Sequence, residues 1–104
     1  MEDLQILTSF FETDLGEASI DLGWSSCGRY LAAINADSEV TLFDAETKAE
    51  LARWTCHEYG ALALAWHPRL QIFATSCQGG FVRFWRVEDD CSVSKVSEIS
   101  FNQD

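Results

Sequence analysis

This sequence is poor in positive charge. Its 104 residues carry seven Lys and Arg against 17 Asp and Glu, a net charge of −10, and residues 1–28 hold six acids and no base. Phosphate backbones are bound by neutralising them with Lys and Arg, so this composition argues against non-specific nucleic-acid binding. Long apolar runs are missing too; none approaches the roughly 18–20 residues of a membrane helix, and no membrane association is expected. The chain opens Met-Glu-Asp-Leu, acidic where a secretory signal needs positive charge, so the expected setting is cytoplasmic. A phosphate-binding loop is lacking as well, because Gln78-Gly79-Gly80 is followed by neither a Lys nor a helix. The acidity itself has two readings: a solvated face that keeps the protein soluble, or a surface for a basic partner, as in an acidic inhibitor or nucleic-acid mimic.

Four cysteines are present, Cys27, Cys56, Cys77 and Cys91, but no C-x-x-C pair. Zinc sites usually draw two ligands from such a close pair. The one close Cys–His pair is Cys56-His57, adjacent and poorly placed to share a metal. Reduced structural cysteines are therefore expected, with no metal and no cofactor; a site built from Cys56, His57, Cys77 and His67 is the minor alternative.

Repetition is what the sequence has in place of chemical motifs. Residues 20–44, IDLGWSSCGRYLAAINADSEVTLFD, align without a gap on residues 62–86, LALAWHPRLQIFATSCQGGFVRFWR, at an offset of 42. Trp24 falls on Trp66, Ala32 on Ala74, Val40 on Val82 and Phe43 on Trp85. Within each copy, short apolar runs alternate with turn residues, as in a meander of strands. Ile20, Leu22 and Trp24 read as a first strand, Tyr30–Ala33 as a second, Val40–Phe43 as a third and Leu51–Thr55 as a fourth. The second copy repeats this at Leu62–Trp66, Ile72–Ser76, Val82–Arg86 and Val93–Ile99. Gly79-Gly80 marks a hairpin where glycine makes positive φ cheap, and Pro68 sits in an earlier turn. The fold class is all-β, with units at 18–60 and 61–104 after an N-terminal segment, 1–17. In that segment Leu4, Leu7 and Phe11 fit a helical stripe, while Leu4–Thr8 fits the strand that is preferred.

These units resemble the WD-repeat β-propeller family, whose blades are four-stranded and roughly 40–45 residues long. Cys56-His57 looks like the family's Gly-His dipeptide, followed at the right distance by Leu64, Trp66, His67 and Pro68. Phe73-Ala74-Thr75 is similar to its Leu-Ala-Ser, and Val82-Arg83-Phe84-Trp85 to its closing strand. In the first copy Trp24-Ser25-Ser26-Cys27-Gly28 resembles the Phe-Ser-Pro-Asp-Gly turn, and Val40-Thr41-Leu42-Phe43-Asp44 the closing strand. The resemblance runs from residue 18 to about 99. It implies two tandem antiparallel blades, like the N-terminal part of a longer propeller, with Leu4–Phe11 as a closing strand. It also implies a network of His, Ser or Thr, Asp and Trp in each blade. The second copy keeps His57, Thr75 and Trp85 but has Gly79 for the Asp; the first keeps Asp37, with Leu15, Ala33 and Phe43 elsewhere. Incomplete networks imply blades held mainly by packing.

No nucleophile–base–acid arrangement is legible around Thr75 or Ser76, so His57, Thr75 and Asp37 are not read as a hydrolase triad. The resemblance implies a non-enzymatic scaffold for protein–protein interaction, with Asn35, Asp37, Glu58, Tyr59 and Gln78 on one rim as contact candidates. Glu58, Tyr59 and Asp37 lead, because an aromatic among acids suits a basic partner. Propellers close with 4–8 blades. The rest come from a longer chain, from further copies in a homo-oligomer, or from another protein. Leu22, Trp24, Leu42, Leu64, Trp66 and Phe84 are the expected blade-face residues.

Overall fold

The computed structural model describes residues 19–101, and these form two four-stranded antiparallel sheets. The first contains β1 (Ser19–Trp24), β2 (Tyr30–Asn35), β3 (Glu39–Asp44) and β4 (Glu50–Thr55). The second contains β5 (Ala61–Trp66), β6 (Ile72–Cys77), β7 (Phe81–Val87) and β8 (Val93–Ser100). Each is a meander in chain order. The expected N-terminal strand, including Leu4–Phe11, lies outside the described residues.

The 42-residue offset is a structural repeat as well. Leu22 pairs with Ala33 and Trp24 with Leu31; in the second sheet Leu64 pairs with Thr75 and Trp66 with Phe73. Both first hairpins slip register at the same place, between Ser19 and Asp21 and between Ala61 and Ala63. Both last hairpins slip at Leu42/Phe43 and at Phe84/Trp85. Ser38 and Gly80 occupy equivalent turn positions with φ of 63° and 86°. A serine in that region is uncommon, and the bonds its side chain makes explain it.

The sheets pack face to face, and the core lies between them. Tyr30, Ala32, Ile34, Val40 and Leu42 of the first sheet meet Leu64, Phe73, Trp85 and Val87 of the second. Trp54 of β4 lies against Trp85 and Phe73, with ring centroids 5.5 and 6.1 Å away. Such tilted aromatic pairs add roughly 0.5–1.5 kcal/mol each beyond their buried area. β2 is buried almost throughout, because Leu31 packs with Phe43, Leu22 and Trp24 on its other face. That two-sided burial is why Tyr30–Ala33 reads as an unbroken apolar run. β6 instead alternates: Phe73, Thr75 and Cys77 are buried, while Ile72, Ala74 and Ser76 are half-exposed.

Hydrogen bonds supplement the packing at this joint. They cross between the two units, and three of them involve β5. Asp21 Oδ2 accepts the Leu64 N–H at 3.0 Å, Ser38 Oγ accepts the Ala61 N–H at 3.0 Å, and the Trp66 indole N–H donates to the Gly23 carbonyl at 2.9 Å. Gly23 allows the last of these, since a Cβ there would lie 3.3 Å from Trp66 Cδ1. Among the expected blade-face residues, Leu42 and Leu64 are buried in the joint, while Leu22, Trp24, Trp66 and Phe84 are half-buried.

Asp21→Ala removes the acceptor of the Leu64 amide, and of the Leu22 amide that Asp21 Oδ1 also holds. The expected loss is about 1–3 kcal/mol, read as a lower midpoint in chemical denaturation with an unchanged slope.

Candidate functional site

The loops at one end of the sheets form a continuous rim. The β2–β3 turn, residues 35–38, is closed by Asn35, whose Oδ1 accepts the N–H groups of Asp37 and Glu39 at 2.9 and 3.1 Å. Ser38 then binds both the β4–β5 loop and the start of β5: its carbonyl accepts the Cys56 N–H at 2.9 Å and its hydroxyl the Ala61 N–H. That loop in turn joins the β6–β7 turn, because the Gln78 N–H donates to the Gly60 carbonyl at 2.9 Å. The Gln78 side chain lies over Gly60, where any Cβ would be 3.1 Å away. Asp37, Glu58, Tyr59 and Gln78 are exposed along this rim, and Asn35 is half-buried with its side chain committed to the turn. Tyr59 is 65% exposed.

Arg83 on β7 fixes the middle of the rim. Its guanidinium donates to the Cys56 carbonyl at 2.9 Å, to Glu98 at 2.8 Å and to Glu58 at 3.2 Å. Glu58 and Glu98 are both held below the usual carboxylate range, Glu98 first by its Arg83 bond, and Glu58 first by a backbone hydrogen bond and next by Arg83. Nothing in the sequence pattern marks Arg83 as a site residue beyond its place between apolar residues on a closing strand.

Behind the rim, Thr75 Oγ1 accepts the Trp85 indole N–H at 3.0 Å and bonds His57 Nε2 at 2.9 Å. The three side chains are buried. Nδ1 of His57 is buried with no hydrogen-bond partner among the described residues, on a blade where glycine stands at the acidic position. Asp37 lies apart, in the exposed turn of the other sheet; Ala33 and Phe43 are buried in that sheet, and Leu15 falls outside the described residues. A Thr75 oxygen enclosed at 1% exposure and held by two rings is not placed to attack a substrate. His67 is exposed, its Nδ1 accepting the Arg69 and Leu70 amides at 2.9 and 3.0 Å.

The cysteines are free thiols, with Cys56 and Cys77 buried, Cys91 half-buried and Cys27 exposed. Cys56 donates to the Ser38 carbonyl at 3.3 Å, and burial pushes its thiol up to about 11. A protonated thiol is a poor nucleophile and metal ligand. Among the described residues no cluster of three or more His, Cys, Asp or Glu is arranged to hold a metal.

The family model described as "Anaphase-promoting complex subunit 4 WD40 domain" matches residues 5–67, more than half of the chain. The chain belongs to the WD-repeat propeller family. "WD repeat and HMG-box DNA-binding protein 1" of Xenopus laevis is 44% identical over 61 residues, 56% of this chain and 5% of that protein. The human protein of the same name is 34% identical over 80 residues, 74% of this chain and 7% of that protein. This WD-repeat chain thus spans well under a tenth of the length of these relatives. Among solved structures, Saccharomyces cerevisiae Sqt1 matches with a TM-score of 0.73 at 19% identity, covering 85% of this chain and 25% of that one. The RRP9 WD40 repeats match with a TM-score of 0.73 at 21% identity, covering 86% and 26%. At such identities these two structures speak for the fold alone.

Burial lowers the His57 pKa, so the folded protein keeps the ring neutral where the unfolded chain, with an ordinary value of 6.5, takes up a proton. The His57 contribution to stability is therefore fully present above about pH 6.5 and is lost as the pH drops from there towards the lowered folded value. A thermal-melt series from pH 7.5 to 5 should show that decline, and His57→Phe should flatten it. Gly79→Asp should restore an acceptor for Nδ1. Its Cβ meets only ordinary contacts, Phe81 at 3.5 Å and Cys77 Sγ at 3.6 Å, so a gain on the order of 1 kcal/mol and a weaker pH slope are expected in the same melts.

Proposed function

We propose that this chain is a non-enzymatic protein-interaction scaffold, contributing two blades to a larger propeller and using the Tyr59 rim to hold a basic partner. The observation that carries the reading is the rim itself: three loops bonded into one surface, with an exposed aromatic beside an anchored carboxylate. An aromatic contributes contact area at small entropic cost, and flanking acids steer a basic partner and set its register. Glu58 adjoins Tyr59 in the β4–β5 loop, Asp37 lies in the β2–β3 turn bonded to that loop, and Gln78 extends the surface across the second sheet. A net charge of −10 favours encounter with a cationic partner over a nucleic acid. The WD-repeat family, in which propellers typically mediate protein–protein contacts, supports the same class of function. A cytoplasmic setting belongs to this proposal, and a fluorescent fusion found in another compartment would contradict it.

Binding of a fluorescent Arg- and Lys-rich peptide tests the rim directly. Wild-type chain should bind it with an affinity that falls as salt rises. Tyr59→Ala should weaken binding at least about tenfold, as loss of a hot-spot side chain does, and Glu58→Lys should weaken it and reduce the salt dependence. Unchanged binding in both variants would remove the rim from the interaction.

A further inference from the structure

Residues 57–59 form a short flap between two fixed points. Cys56 is anchored through its N–H on the Ser38 carbonyl and through its own carbonyl on Arg83, both at 2.9 Å. Gly60, at a φ of 68° that favours glycine, is anchored by the Gln78 amide. Between them, no backbone group of His57, Glu58 or Tyr59 bonds to another backbone group among the described residues. Side chains hold the flap instead. His57 Nε2 bonds Thr75 Oγ1 at 2.9 Å, and Glu58 meets Arg83 at 3.2 Å. The two tethers are unequal. The Glu58 side chain is 74% exposed, where an ion pair contributes little, whereas His57 is 1% exposed. His57 is therefore the latch that keeps Tyr59 on the rim.

The latch fits one protonation state. Nδ1 of the ring is buried without a partner, so the neutral ring leaves a single polar atom unpaired. A second proton would bury a full charge with an unbonded N–H, at much greater cost. What faces the ring does not compensate. Thr75 and the Cys77 thiol share the buried face of β6, and beside the ring burial keeps the Cys56 thiol protonated by pushing it up to about 11. Arg83 of β7 repels a proton on the ring, while Glu58 on the flap and Glu98 on β8 attract one, both exposed and paired with Arg83. Burial, helped by Arg83, prevails over those carboxylates and a Thr75 backbone hydrogen bond, and holds the His57 pKa below its ordinary 6.5.

We infer that residues 57–59 are an acid-sensitive gate: the neutral His57 ring latches the flap and displays Tyr59, and uptake of a proton by that ring frees the flap so that Tyr59 leaves its place on the rim. Control of a basic partner by this gate rests on the reading of the rim as a binding surface; the gate itself does not. An open flap binds the proton at the ordinary histidine value and a closed one only below it, so falling pH favours the open form by at most about tenfold per unit below about pH 6.5. Glu58 and Glu98 are held below the usual carboxylate range. The rim therefore stays acidic through this window, and a loss of binding there reports the gate rather than a loss of attraction.

The chain has two tyrosines, so labelling it with 3-fluorotyrosine gives one fluorine resonance from the flap, at Tyr59, and one from the joint, at the buried Tyr30. Between about pH 7 and 5 the Tyr59 resonance should move in step with titration of the His57 ring while that of Tyr30 stays, which separates opening of the flap from unfolding. His67 is the other of the two histidines. His67→Gln should leave the response intact, and His57→Asn, which can still bond Thr75, should abolish it. If His57→Asn disturbs Tyr30 as well, the His67→Gln chain decides: a response lost there belongs to His67 and overturns the gate. The Arg- and Lys-rich peptide should bind at least about threefold more weakly at about pH 5.5 than at about pH 7, and saturating peptide should in return lower the pH at which His57 titrates. A Tyr59 resonance that ignores the His57 titration, or moves only together with Tyr30, would overturn the gate. Peptide binding equal at both pH values, with the Tyr59 response present, would overturn its control of the rim. Absence of peptide binding at every pH, with that response present, would remove the rim as a binding surface and support the gate alone.

Discussion

The structure depends on one face of the first sheet being covered by one face of the second. A chain of about 100 residues buries only a modest core, and here most of it lies between the sheets. Neither sheet could retain Tyr30, Ile34, Phe73 or Trp85 in a dry environment alone. The inner strands set the distance of that contact: Gly23 has no side chain, so the Trp66 indole reaches its carbonyl, and Asp21, held at a bulge, reaches across to the Leu64 amide. The same bulge recurs at Ala61–Ala63 with no carboxylate to use it. The repeat has thus kept its backbone and lost its cross-sheet chemistry.

The rim inherits its order from this joint. Ser38 stands at the corner, its backbone bent to positive φ so that carbonyl and hydroxyl both face the next loop. Beneath, Thr75 ties Trp85 of the third strand to His57 of the loop, and Arg83 pulls Glu58 and the Cys56 carbonyl onto the same strand. Tyr59 is consequently displayed from a loop whose preceding residues are anchored at several points, which lowers the entropy lost when a partner binds.

Much of this was legible in the sequence, for a physical reason. Strand alternation, turn residues and the 42-residue offset are local or periodic properties, and all eight strands fall within two residues of where they were expected. The family pattern groups His57, Thr75 and Trp85, and they meet in the structure. Asp21, Ser38, Gly23 and Arg83 were not named as site residues, because their partners lie a sheet or a loop away and no short motif encodes such a contact. One signal was available: at several aligned positions a polar or minimal residue in the first copy faces an apolar or different one in the second, as Asp21 faces Ala63 and Ser38 faces Gly80. The rim candidates needed the topology, since Asn35 proves to be spent on its own turn while Tyr59 is not.

The placement of the indoles has an optical consequence. Of the four tryptophans, Trp54, Trp66 and Trp85 all sit in or against the joint, two of them 5.5 Å apart and the third anchored to the opposite sheet. Trp24 alone belongs to the other face of the first sheet. Intrinsic emission from this chain is therefore weighted towards the seam rather than the strands. A separation of the two sheets that left every hairpin intact would leave the backbone bands of far-ultraviolet dichroism nearly unchanged and be conspicuous in fluorescence, so the molecule carries its own gauge of how tightly its blades are closed.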